Sequence, residues 1–311
     1  MTSDSFHHAG VPLSRENASR GKPVFLEKHG FADRSLAWGM WRLSGETAPA
    51  RKLVETTLDA GIRLLDTADI YGDVFGDAEV ILGRVLKDAP DLRKRMVLAT
   101  KAGIIPGVPY CSSEDYLVAA CEQSLKRMGV EQIDLYQIHR PDHLTHPQEV
   151  ASAFSRLRRA GKIVDAGVSN HTPSQIRALA AHMDFPLSTV QPELSAVAIE
   201  AVSDGVLDLA MELDLAVLAW SPLGRGALAS GVGLPRADAV CVVLDRLGAR
   251  EGVSRAAMAF AWIMAHPASP VPIIGSQKGA RIIDAVDALK VNLSRADWYE
   301  VLVAARGERL P

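Results

Sequence analysis

Short apolar runs that end on a polar residue and lead into a helical stretch recur along this 311-residue chain. The clearest are GIRLLDTADIYG (61–72), RMVLATKAG (95–103) and DLYQIHRPD (134–142). Runs with little polar alternation are those of strands buried on both faces. The segments between them, such as DAEVILGRVLK and SEDYLVAACEQSLKRM, carry a helical spacing of apolar residues. Strand, polar tip and helix repeated around a closed sheet put every tip on one face. The expectation is therefore an α/β chain folded as a (β/α)₈ barrel, with its chemistry at the C-terminal ends of the strands.

Four of those tips form a coherent chemical set: Asp66, Tyr71, Lys101 and His139. A tyrosine hydroxyl titrates near ~10 in water, too high for efficient acid–base work near neutrality. An adjacent ammonium, Lys101, favours the phenolate and is expected to pull the Tyr71 pKa down. Asp66 would pair with Lys101, and His139 would orient a substrate oxygen. Hydride arriving at carbon while Tyr71 protonates oxygen amounts to reversible carbonyl reduction, with no metal required. Taken singly, each residue has a plainer reading: an Asp after a strand is as often a helix N-cap, and a lone Tyr, Lys or His is usually structural or solvated. The shared strand-end position is what raises the set above its members.

From about Leu36 to the C-terminus the chain resembles the aldo-keto reductases, closest in look to bacterial short-loop members. DTADIYG (66–72), ATKAG (99–103), DLYQIHRPD (134–142), GKIVDAGVSN (161–170), VQPELS (190–195), AWSPLGRG (219–226) and PIIGSQKGARI (272–282) stand in the family's order and at its spacing. The resemblance implies a (β/α)₈ (TIM) barrel with an N-terminal β-hairpin closing its bottom and extra helices near the C-terminus. It implies hydride transfer from NADPH to an aldehyde or ketone, with Asp66, Tyr71, Lys101 and His139 as the catalytic tetrad.

The chain organises accordingly. Residues 1–22 are polar and aperiodic, read as a flexible lead-in, and 23–311 as one barrel domain. PVFLEKHGFADRSLAWGM alternates around Lys28–Gly30 as a hairpin would. Strands are expected at Leu36–Trp38, Arg63–Asp66, Met96–Thr100, Leu135–Ile138, Asp165–Val168, Thr189–Gln191, Ala216–Trp220 and Pro272–Ile274. Helices are expected at Ala48–Ala60, Pro147–Ala160, Ser254–His266 and Arg295–Arg306. Thirty-four basic against 37 acidic residues, net −3 with no basic stripe, argue against a nucleic-acid partner. Three scattered cysteines suit a reducing cytoplasm. No apolar run approaches the ~20 residues that a membrane span requires, and the N-terminus lacks the apolar core of a secretory signal. The expected state is a cytoplasmic monomer or weak homo-oligomer.

A dinucleotide would occupy the remaining strand ends. Ser169, Asn170 and Gln191 offer hydroxyl and amide groups that match the two-sided carboxamide of nicotinamide, and Trp220 offers a flat face for the ring. Cap and turn chemistry before Thr172-Pro173 explains Ser169 and Asn170 equally well without the family context. Ser221, Leu223, Gly224 and Arg225 lie in a glycine-bearing loop suited to a pyrophosphate. Gly275, Ser276, Lys278 and Arg281 open a helix after the last strand, where free amides attract anions and barrel enzymes often hold phosphate. A hydroxyl and two cations on one turn suit a 2′-phosphate, hence NADPH over NADH. By resemblance Gly39, Met40, Trp41 and Asp284 also touch cofactor, and Trp41 walls the substrate pocket beside Tyr71 and His139. Met40 stands where many relatives have Thr, and Ala285 where many have Asn. The short loop after His139 implies an open pocket with an apolar lining and leaves the small carbonyl substrate unnamed. Two further readings remain: a cofactor-retaining regulatory barrel with little turnover, and a metal-dependent hydrolase using Asp66, Asp69 and His139, which leaves Tyr71 and Lys101 without roles.

Overall fold

The structure, a computed structural model, describes residues 22–311. The expected flexible segment 1–22 lies, apart from Lys22, outside the described residues. Eight parallel strands close into a barrel in sequence order: β1 (Ala37–Gly39), β2 (Leu64–Asp66), β3 (Val97–Ala102), β4 (Ile133–Ile138), β5 (Ile163–Ser169), β6 (Thr189–Gln191), β7 (Ala216–Ala219) and β8 (Val271–Ile274). Closure comes from β1 and β8, where Ala37 faces Ile273 and Trp38 faces Ile274.

Helices α1 (Val24–Lys28), α2 (Thr47–Asp59), α3 (Asp77–Asp88), α4 (Glu114–Met128), α5 (Pro147–Arg159), α6 (Pro173–Ala180), α7 (Val206–Glu212), α8 (Ala227–Ser230), α9 (Ala237–Glu251), α10 (Arg255–Met264), α11 (Gly279–Ala285) and α12 (Arg295–Arg306) complete the chain. Their ends follow local chemistry. Thr172 caps α6 through a reciprocal bond with Gln175, with Pro173 in the first turn. Beyond α5 the chain turns at Gly161, whose φ of +70° is the left-handed conformation that glycine adopts without strain.

The expected hairpin at the barrel bottom is not what forms. Residues 24–28 are the helix α1, and its Phe25 and Leu26 fill the lower barrel with Phe31, Leu64, Val97 and Leu218. The alternation read as a hairpin is short enough to serve one helical turn as well, and burial of adjacent Phe25 and Leu26 favours the helix. Asp165 clamps the plug, accepting Lys28 Nζ at 2.9 Å and lying 2.8 Å from His29 Nε2.

Two apolar layers define the sheet's faces. Val97 and Ala99 of β3 join the inner cluster, while Leu98 and Ala102 join the outer layer against the helices. The two-residue period of a strand therefore points Lys101 inward above Ala99. The same count sends Asp66 inward above Leu64, and Gln137 inward above Leu135. Asp66, Lys101 and Gln137 thereby gather at the end of the barrel opposite the α1 plug and its Asp165 clamp.

Candidate active site

Asp66, Tyr71, Lys101 and His139 converge at that polar end. Lys101 is fully buried, and its Nζ donates to Asp66 Oδ2 at 2.7 Å and to the Thr67 carbonyl at 2.8 Å. The Tyr71 hydroxyl sits at a fork, 3.4 Å from Lys101 Nζ and 3.4 Å from His139 Nε2. The Tyr71 and His139 rings meet edge to face, with centroids 5.4 Å apart. His139 is placed by its own backbone, whose N–H donates to the Ala102 carbonyl at the end of β3.

The charge states follow from burial. Desolvation alone would depress Lys101, but Asp66 and Tyr71 override it and its pKa is raised, so it stays an ammonium. Burial pushes the Tyr71 hydroxyl up; Lys101 opposes the shift and Asp66 reinforces it. The expectation of a depressed Tyr71 is thus corrected: the lysine acts in the anticipated direction, but the dry site outweighs it. A phenol that keeps its proton is in the right state to donate. Burial, with Lys101 and Arg140 adding to it, holds His139 well below the usual histidine range, so the ring is neutral. Its Nδ1 is buried without a hydrogen-bond partner.

The remaining strand ends join this group in a closed circuit. Gln191 Nε2 donates to Asp66 Oδ1 at 3.2 Å, and Ser169 Oγ donates to the Gln191 carbonyl at 2.8 Å. Asn170 Nδ2 reaches Ser169 Oγ at 2.7 Å and the His139 carbonyl at 3.2 Å, while Trp220 Nε1 donates to Asn170 Oδ1 at 2.9 Å. Asn170 adopts a φ of +59°, a left-handed conformation its short amide tolerates. Gln137, absent from the sequence reading, supports the circuit from below: its Nε2 lies 3.5 Å from Asp66 Oδ1, and its Oε1 accepts from Thr189 at 3.2 Å. The inward position two residues after Leu135 was the signal for it.

The first and last strand ends meet as well. A β-carbon at Gly275 would lie 2.9 Å from Trp41 Nε1, so the glycine is what lets the indole approach. Trp38 Nε1 donates to the Ser276 carbonyl at 2.9 Å, and Gln277 Nε2 to the Gly39 carbonyl at 3.2 Å. Trp41 is half exposed at the mouth, with Arg42 stacked 4.0 Å from its ring. Lys278 and Arg281 are exposed and carry no ion pair among the described residues.

Three further residues expected to touch the cofactor have partners within the protein. Met40 is fully buried, its N–H donating to Asp66 O and its carbonyl accepting from Leu43. Arg225 lies against Glu193 through bonds of 3.2 and 3.1 Å. Asp284 accepts from Ser254 Oγ at 2.6 Å. Ser221, Gly224 and Arg225 all have positive φ, and a β-carbon at Gly224 would collide with Val197, which together shape the loop that holds Leu223. Arg140 is an addition: its guanidinium lies 5.4 Å from the Trp220 ring centroid and has no hydrogen bond or ion pair among the described residues.

Residues 35–303 match the sequence profile of the Aldo/keto reductase family. The chain belongs to that family. Membership makes this aldo-keto reductase a carbonyl-reducing oxidoreductase of a group that works with nicotinamide cofactors. A 6-dehydroglucose reductase of Novosphingobium aromaticivorans is 54% identical to it over 298 residues, spanning 93% of this chain and 98% of that protein. A 6-dehydroglucose reductase of Agrobacterium fabrum is 36% identical, over 88% of this chain and 95% of its own length. Among solved structures, the thermostable aldo-keto reductase Tm1743, crystallised with the inhibitor epalrestat, superposes with a TM-score of 0.76 at 22% identity, covering 86% of this chain and 94% of that one. That likeness concerns the barrel fold alone.

Proposed function

We propose that this aldo-keto reductase reduces the aldehyde of an oxidised sugar, 6-dehydroglucose or a close analogue, with NADPH as reductant and Tyr71 as proton donor. The observation that carries the reading is the closed hydrogen-bond circuit. It ties the proton-donating group (Tyr71, Lys101, His139) to the amide and hydroxyl set (Ser169, Asn170, Gln191) through one carboxylate, Asp66. Hydride and proton must reach adjacent atoms of one carbonyl, and a shared framework sets the two deliveries at a fixed separation.

The chain's groups fit the nicotinamide dinucleotide. Ser169, Asn170 and Gln191 offer donors and acceptors on one buried face, and Trp220 presents a ring beside them. Lys278 and Arg281 supply two uncommitted cations beside Ser276, suited to a 2′-phosphate. When bound, the cofactor supplies the hydride. The protein's own part is proton management. Neutral His139, with its proton on Nε2, donates a hydrogen bond to the carbonyl oxygen and polarises it. Tyr71 gives its proton to the same oxygen as charge builds there. The buried Lys101 ammonium stabilises the phenolate left behind, and Asp66 keeps that ammonium charged and aimed.

The sugar assignment rests on the two reductases named above and on the mouth of the barrel. Trp41, Trp220 and the uncommitted Arg140 offer aromatic faces and a strong donor to a hydroxyl-rich molecule. Reduction of the aldehyde of 6-dehydroglucose to a primary alcohol yields glucose. The expected setting is cytoplasmic, as a monomer or weak homo-oligomer and one domain over 23–311. NADPH oxidation measured with 6-dehydroglucose and with apolar aldehydes of similar size tests the assignment. Higher kcat/KM for the sugar supports it; preference for the apolar set removes the sugar and leaves the reductase.

A further inference from the structure

Behind the Lys101 strand lies a carboxyl that the mechanism above does not use. Asp69 is 1% exposed; neither of its oxygens has a hydrogen bond of normal length, and the one hydroxyl that favours its anion is that of Tyr116. Its backbone N–H donates to the Lys101 carbonyl at 2.9 Å, which fixes it against β3 between Asp66 and Tyr71 in the chain. The charged and titratable groups facing it come from four elements: Glu79 of α3, Arg127 and Tyr116 of α4, Lys101 of β3 and Tyr136 of β4. Arg127 is already committed to Glu79, donating through Nε at 2.7 Å, and Glu79 also accepts from Thr100 at 2.6 Å. Asp69 is therefore a second carboxyl in a pocket whose one guanidinium is engaged. A buried carboxyl with no more support than one facing hydroxyl is costly and needs a reason to persist.

We propose that Asp69 is a positioning residue for the proton-donating group, its charge state setting how tightly Lys101 and Tyr71 hold their protons. The inference rests on the reductase reading above and adds a control on it. Burial and the neighbouring Glu79 push the Asp69 carboxyl up to about 7, against the pull of Arg127, Lys101 and the Tyr116 hydroxyl. Below that pH the pocket behind Lys101 holds a neutral carboxyl; above it, an anion. The anion favours protonated forms nearby, so the Tyr71 phenol becomes a weaker acid and reduction slows. His139 is depressed too far to produce such a limb in this range.

The test uses the full chain at saturating NADPH and aldehyde, with kcat followed from pH 5.5 to 9 for wild type, Asp69→Asn and Tyr116→Phe. The expected wild-type kcat falls through a midpoint near pH 7, and the fall is missing from Asp69→Asn whatever the level of its rate. Tyr116→Phe removes a hydroxyl that favours the anion, so its midpoint should move to higher pH. An unmoved limb in Asp69→Asn overturns the proposal. If that variant does not fold, an unmoved midpoint in Tyr116→Phe does so. Infrared titration of wild type reads the carboxyl without turnover: a buried protonated-carboxyl band should vanish through the same midpoint. Absence of that band at pH 5.5 also overturns the proposal. A wild type that shows the band yet reduces no aldehyde would sink the reductase reading instead.

Discussion

Lys101 Nζ and Asp66 Oδ2 lie 2.7 Å apart with the lysine fully enclosed and the aspartate nearly so, an ion pair at the centre of the barrel mouth. Removing one partner of a buried pair leaves an uncompensated charge, which costs about 3–5 kcal/mol. Asp66→Leu alone should therefore lower Tm sharply. Replacing both, as Asp66→Leu with Lys101→Met, should recover much of that loss, while turnover stays absent in both variants. Thermal melts beside NADPH-oxidation rates check this. A double variant no more stable than the single one would mean that the pair also holds the fold.

Replacing Tyr71 with Phe keeps the ring edge against His139 and removes only the hydroxyl at the fork. Positioned general acids contribute ~10²–10⁴-fold, so kcat should fall by that order while cofactor binding is retained. Cofactor fluorescence titration together with steady-state rates separates the two. Near-normal turnover would take the acid role away from Tyr71.

Much of this was legible from spacing. Lys101, Asp66 and Gln191 are each the inward residue at the top of a strand, so the two-residue period and the barrel closure bring them together. The bottom plug is not legible in the sequence because Phe25–Leu26 and their neighbours are too few to distinguish a turn of helix from alternation. Charge states were less legible. Tyr71 depends on a balance between burial and Lys101, and the sign of that balance is a property of packing rather than of residue identity. The commitments of Arg225 to Glu193 and of Asp284 to Ser254 span 32 and 30 residues, and nothing local announces them. The sequence offers Asp69 only as a ligand in the metal-dependent alternative, because the α3 and α4 groups that face it lie far along the chain.

His171 offers a stability prediction with a definite sign. Burial lowers its pKa to about 4, against a weaker opposing contact with the Ser169 carbonyl. The unfolded chain takes up a proton near the ordinary value of ~6.5 and the folded one does not. Stability contributed by neutral His171 is therefore lost as pH falls from 6.5 towards 4, by roughly 3 kcal/mol. His171→Gln should lose less stability than wild type across that interval, seen in urea midpoints at pH 7 and pH 4.5. Comparing the two proteins cancels the opposite trend from the raised Asp69. Parallel losses would place the acid sensitivity elsewhere.

Cofactor choice rests on the fewest residues. Lys278 and Arg281 are exposed, lack ion pairs among the described residues, and follow Ser276, whose Oγ accepts the Lys278 N–H at 3.2 Å. A 2′-phosphate is the one group that distinguishes NADPH from NADH, and a charge-assisted bond to it is worth about 1.5–3 kcal/mol. Arg281→Ala should weaken NADPH by roughly one to two decades, since 1.4 kcal/mol is about tenfold. NADH affinity should scarcely change, because nothing in that molecule engages the cation. The rate at saturating cofactor should also persist, because Arg281 is no part of the circuit around Tyr71. Dissociation constants for both cofactors in wild type and variant decide the matter. Equal losses would assign Arg281 to the fold, and an unchanged NADPH constant would leave Lys278 as the only cation for the phosphate. If Lys278→Ala is equally silent, the preference for NADPH falls with it.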